Sequence, residues 1–184
     1  HIDFDPGLGL LNSVDKYDRL KKDYYEQNAE ENSARAFELS QIEDKIKNES
    51  QTLPYRHLVT LVQSKNGYED IIESLERTGE IKELNDYENK QLQSRIKCIK
   101  GWLETQAPEN IKFKIQKTPP KLEIDSKILK KITELKNKMI STEWNPENIH
   151  DSFYELQEDN NTPAKEYFNI MYQIIIGKSR GPRL

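Results

Sequence analysis

The residues best suited to chemistry in this chain are two groups of cations. The first is Lys112, Lys114, Lys117 and Lys121, with no acid between Ile111 and Lys121, with Phe113 inside the group and Trp102 close by in sequence. Alternate lysines on an extended segment project to one side, where they can meet a row of phosphates. The same pattern also suits a charged edge that resists aggregation. The second group is the closing stretch Gly177-Lys178-Ser179-Arg180-Gly181-Pro182-Arg183-Leu184. Its glycines allow a backbone to approach a ligand closely. The planar forks of Arg180 and Arg183 can pair with phosphate or a base edge and stack on an exposed base. Single-stranded RNA loops are read by this mixture of stacking and hydrogen bonding. A frayed terminus whose cations answer a helix dipole is the competing reading. The candidate RNA-binding residues are therefore Lys112, Lys114, Lys117, Lys178, Arg180 and Arg183, with Trp102 as a stacking surface.

Other chemistry finds little material. His1, His57 and His150 lie far apart, and none has a carboxylate or cysteine at metal-ligand spacing, so no metal is expected. Cys98 sits beside Ile96 and Ile99 on a helical pattern and reads as a small buried thiol with no partner base. Gly7-Leu8-Gly9 lacks the third glycine and the preceding strand of a phosphate-binding loop. No catalytic residue is assigned, and no cofactor is expected in this chain.

The elements that must position the cations read as helices. After an opening loop through Leu11, a helix capped by Asn12 or Ser13 carries Val14, Tyr17, Leu20 or Lys21, and Tyr24. Arg35 to Gln41 fits either a short strand or a helix. Pro54 opens an apolar helix with Leu58, Val59, Leu61 and Val62, and a second follows with Tyr68, Ile71, Ile72 and Leu75. A third is predicted from about Glu80 to Thr105, ended by Ala107-Pro108. Ile111, Phe113 and Ile115 alternate with polar residues, which permits an extended segment. Thr118-Pro119-Pro120 reads as a hinge, because two consecutive prolines exclude helix. Beyond it, helices are predicted from about Asp125 to Ile140, from Asn145-Pro146, and from Thr162-Pro163 to a stop at Gly177. The aromatic stripe Tyr167, Phe168 and Tyr172 matches the apolar face of that last helix.

Composition agrees. Of the 184 residues 34% are hydrophobic and 33% charged, above the roughly 25% charged of an ordinary globular domain, so the core is lean and helical. No apolar run approaches the ~20 residues that span a bilayer, so no membrane is expected as a partner. One cysteine and no signal pattern point to a cytoplasmic setting. The chain begins at His1 rather than at a methionine, which reads as a piece of a longer protein. Residues 1–92 hold 12 Lys/Arg against 20 Asp/Glu, and residues 93–184 hold 16 against 12. That asymmetry fits either scattered solvated faces or one face that meets a polyanion.

Several stretches resemble a known family in its own order. Pro54-Tyr55-Arg56-His57-Leu58-Val59 is similar to the "P-(F/Y)-R-H-L-V" segment of class I lysyl-tRNA synthetases. Asp15-Lys16-Tyr17-Asp18-Arg19 resembles their "D-E-Y-D-R" helix start, with Lys16 in place of a glutamate. Gly101-Trp102-Leu103-Glu104, Ala107-Pro108-Glu109 and Lys112-Phe113 resemble "N-W-(L/V)-E…A-P-E…K-F", with Gly101 in place of asparagine. The closing residues resemble "G-K-x-x-G-P-R-L". The resemblance implies an all-α, helical-cage fragment from the C-terminal, anticodon-binding part, with residues 1–50 as a short irregular or strand-containing connector, 51–118 as one helical subdomain and 119–184 as a second. The implied partner is the anticodon arm of a lysine tRNA. Neither of the family's ATP-site motifs occurs here, and Lys138-Met139-Ile140-Ser141 is only an echo of one. ATP with Mg, and lysine, would therefore bind a catalytic domain preceding His1. The alternatives are the equivalent region of a glutamyl-type synthetase and a helical protein-interaction module without RNA.

Overall fold

A computed structural model describes residues 5–41, 53–118, 120–143, 145–158 and 164–182, and among them every regular element is an α-helix. The helices are α1 (Leu8–Tyr25), α2 (Glu31–Ser40), α3 (Tyr55–Ser64), α4 (Tyr68–Arg77), α5 (Asp86–Thr105), α6 (Ser126–Ser141), α7 (Pro146–Glu158) and α8 (Ala164–Ile176). The all-α class read from periodicity is the class observed. No described helix is long and apolar enough to cross a membrane. The chain divides into two compact units, His1–Lys112 and Phe113–Leu184.

In the first unit the apolar faces of α3, α4 and α5 close on one another. Leu58, Ile71, Leu75 and Ile99 are almost wholly removed from solvent. Burial of one such side chain is worth about 1.5–3 kcal/mol, against about 0–1 for an exposed ion pair, so the core sets the stability of this unit. α1 packs on α3, and α2 packs on α1. The described part of the stretch read as a connector, residues 5–41, therefore belongs to the first helical unit. Residues 42–50 of that stretch lie outside the described residues.

Three polar pegs hold α1 and its approach in place. Arg95 of α5 donates from both terminal nitrogens to the Asp18 carboxylate, at 2.8 and 2.5 Å, and its guanidinium lies 5.3 Å from the centre of the Tyr55 ring. Arg56 of α3 donates to Asp15 at 2.5 Å and to Asn12 at 2.6 Å. The Trp102 indole donates to the Pro6 carbonyl at 2.7 Å.

Local chemistry moves several predicted boundaries. α1 starts at Leu8, ahead of Asn12, because Asp5 satisfies the first turn: its carboxylate accepts from the Gly7 and Gly9 amides, both at 2.8 Å. The ambiguous Arg35 to Gln41 lies mostly in helix α2, whose Phe37 inserts among the rings of Tyr17, Tyr24 and Tyr25 at 4.7–6.2 Å between centroids. α5 begins at Asp86 rather than Glu80. Asn85 forms a capping box with Glu88, and Ile81 reaches the core from the preceding loop. Cys98 is exposed, not buried as its neighbours suggested, because one residue turns a helix by about 100° away from the buried Ile99.

The second unit contains α6, α7 and α8. α6 packs on α7, and Lys138 pairs with Glu155 between them. Leu135, Phe113, Ile176 and Ser152 are buried. Asp125 caps α6 by accepting from the Lys127 amide, and Asn145 accepts from the Asn148 amide at the start of α7, each at 2.8 Å. Pro163, the predicted start of the last helix, lies outside the described residues, and α8 is described from Ala164. α8 ends where Gly177 adopts φ +69°, a left-handed conformation that glycine accepts without strain. The division between units falls at Lys112 and Phe113, ahead of the hinge read at Thr118-Pro119-Pro120. Residues 113–118 form no strand and run as a strap bonded to the last turn of α8.

Candidate nucleic-acid interface

The strap and the tail meet at one end of α8. The Gln116 amide donates to the Ile175 carbonyl at 2.8 Å, and its side chain donates to the Gln173 carbonyl at 2.7 Å. A Cβ placed on Gly177 would lie 2.9 Å from the Gln116 side-chain nitrogen, so the two segments touch there. Lys117 follows Gln116, and Lys178 follows Gly177. Two cation groups sixty residues apart in sequence are thereby joined at one place in the second unit.

The tail does not fray over its described length. The Tyr172 hydroxyl donates to the Pro182 carbonyl, which folds residues 178–182 back over the helix they leave. Gly181 makes that return possible. A Cβ there would lie 2.5 Å and 2.6 Å from two ring carbons of Tyr172 and 2.8 Å from the Ile176 side chain. Lys178, Ser179 and Arg180 thus form a short loop pinned by the Gln116 contact at one end and by Tyr172 at the other. Arg180, Lys114 and Lys117 are exposed, and Lys178 is half-buried. A pinned loop presents its cations with less ordering left to do on binding than a free tail would. The carbonyl end of α8 also favours positive charge near it, that of Lys178 and of Lys117 beside the Gln116 bonds.

The remaining candidates fall elsewhere. Lys112 closes the first unit and pairs with Glu109 at 2.8 Å. Trp102 is corrected: it is only 5% exposed, packs in the first unit's core and spends its N–H on Pro6, so it offers no face to a base. Arg183 lies outside the described residues. His57 lies 3.1 Å from Glu80 through Nε2, and among the described residues no three of His, Cys, Asp and Glu gather as a metal site. The pinning roles of Gln116, Tyr172 and Gly181 were not read from the sequence, which gave Tyr172 to an apolar helix face and Gly181 to close approach of a ligand. A glutamine beside a lysine and a tyrosine on an apolar stripe carry no local signal of a long-range partner.

The geometry sorts the family-like stretches by what each does. Asp15 and Asp18 hold α1 through Arg56 and Arg95; Tyr55 underlies Arg95; Trp102 and the buried Ala107 belong to the core. In the tail, Arg180 is exposed and Lys178 half-buried.

No family model matches the chain. Over its whole length it is similar to lysine–tRNA ligases of archaea. It is 37% identical over 188 residues to that of Thermoplasma volcanium, 35% over 190 to that of Pyrococcus furiosus, and 33% over 186 to that of Picrophilus torridus. Each alignment takes in all of this chain and 35–36% of the relative, so the chain spans about a third of the length of the curated relatives it matches.

Proposed function

We propose that the chain, similar along its whole length to archaeal lysine–tRNA ligases, is the C-terminal part of a class I enzyme of that kind, gripping the anticodon arm of its tRNA. The observation that carries this reading is the joining of strap and tail into one cationic surface on α8. Lys114, Lys117 and Lys178 hold backbone phosphates, and the fork of Arg180 reaches unstacked bases of the anticodon loop. ATP, lysine and the joining reaction fall to the rest of such a ligase.

Binding of an unmodified lysine tRNA by the 184-residue chain tests the proposal. Affinity is expected to fall steeply with salt, because each phosphate neutralised adds about 0.7–0.9 to the logarithmic slope. The triple variant Lys114→Gln, Lys117→Gln, Arg180→Gln should bind about tenfold more weakly, with a slope shallower by about 2–3. Salt-independent binding, or none, would favour a protein-interaction module instead. In a full-length ligase, Arg180→Ala is expected to raise KM for tRNA severalfold and leave lysine-dependent pyrophosphate exchange unchanged. Equal loss in both assays rejects the division of labour.

A further inference from the structure

We propose that the outward face of α5 in the first unit is a second RNA-contact surface, a stripe that tracks ribose-phosphate backbone. Lys90, Gln93, Ser94, Lys97 and Lys100 recur at helical spacing and are all exposed. No acid occurs between Glu88 and Glu104, in a unit whose first 92 residues carry eight more acids than bases. Lys90 and Lys100 are ten residues apart, about 15 Å along the helix, which spans several successive phosphates.

Folding does not explain the stripe. Among the described residues none of these three lysines has an acid partner, whereas Arg95 on another flank of the same helix is spent on Asp18. Lys97 and Lys100 are like charges one turn apart, an arrangement that mildly disfavours a helix. Gly101 continues the same face. Glycine weakens an exposed helix interior relative to alanine, and a Cβ at this position would meet nothing within 4 Å. A bare, positively charged helix surface that weakens its own helix is what close approach by a sugar-phosphate chain requires.

The inference rests on the RNA reading above, and its test separates the two. The 184-residue chain is titrated with lysine tRNA at several salt concentrations, beside the triple variant Lys90→Gln, Lys97→Gln, Lys100→Gln. Glutamine keeps helix propensity, and an unchanged thermal transition verifies the fold. The chain's one cysteine, Cys98, is exposed next to Lys97 and reports proximity through its rate of alkylation. The expected result is a slope shallower by about 2–3, affinity about tenfold lower, and slowed alkylation of Cys98 when tRNA is bound to the unsubstituted chain. An unchanged slope and unprotected Cys98, in a protein whose strap and tail variants do weaken binding, would overturn the stripe and leave the anticodon reading standing. Absence of tRNA binding by the unsubstituted chain would overturn both.

Discussion

Asp18→Ala is expected to destabilise the first unit by about 3 kcal/mol and to lower its Tm by roughly 10 °C. Asp18 is 6% exposed, and both its oxygens accept from Arg95. Truncation leaves the guanidinium against the Tyr55 ring without its Asp18 counter-charge, and its Nε already has no hydrogen-bond partner among the described residues. The damage comes from an orphaned charge rather than from a lost attraction. Replacing both members by apolar residues, Asp18→Leu with Arg95→Met, should therefore recover much of the loss. Asp15→Ala is the control, since the Arg56 side chain of that pair is 51% exposed and such pairs contribute about 1 kcal/mol or less. Urea unfolding of the three variants separates these cases. If Asp18→Ala loses no more than Asp15→Ala, the Arg95 pair is not what holds α1 to α5.

Helices with one strongly apolar face were legible in the sequence. Leu58, Val59 and Leu61 in α3, or Ile96 and Ile99 in α5, announce both the element and the side it buries. Interior partnerships at long range were not. The pairing of Asp18 with Arg95 spans 77 residues, and nothing local distinguishes it from an exposed charge on a solvated face. The same holds for Trp102, whose nearness in sequence to the lysines at 112–121 suggested a stacking surface, although its carbonyl partner lies 96 residues earlier. At the candidate interface each cation group was visible by composition. Their meeting was not, because it depends on Gln116, whose two bonds to α8 are made with backbone carbonyls and leave no trace in the identity of the partner. The resemblance to a synthetase family supplied what periodicity could not, yet it did not sort pegs from contacts. The structure does that: Asp18 and Trp102 are buried, Asp15 is half-buried against Arg56, and Arg180 is exposed.

Gly181→Val is expected to unpin the tail and weaken tRNA binding about tenfold or more, because Lys178 and Arg180 lose their fixed positions together. The added carbons would overlap the Tyr172 ring and the buried Ile176 side chain, and overpacking of this kind costs about 1–3 kcal/mol. Tyr172→Phe should act in the same direction but more weakly, since it removes one hydrogen bond worth about 1 kcal/mol. The phenol offers an independent reading of docking. Burial holds its pKa above the ordinary value of 10.0 for tyrosine, so the docked tail favours the neutral form. Docking is at full strength below the ordinary value and is lost as pH rises through the raised one, where the ionised oxygen can no longer donate to Pro182. Spectrophotometric titration should show the Tyr172 phenol among the late ones, with those of Tyr24, Tyr55 and Tyr68; the late group should be one phenol smaller in Tyr172→Phe, and one phenol should return to the ordinary range in Gly181→Val. Trypsin should cut after Arg180 faster in both variants. Should Gly181→Val release that phenol and open the loop to trypsin while tRNA affinity stays unchanged, the cations act from a free tail, and the pinned loop has no part in binding.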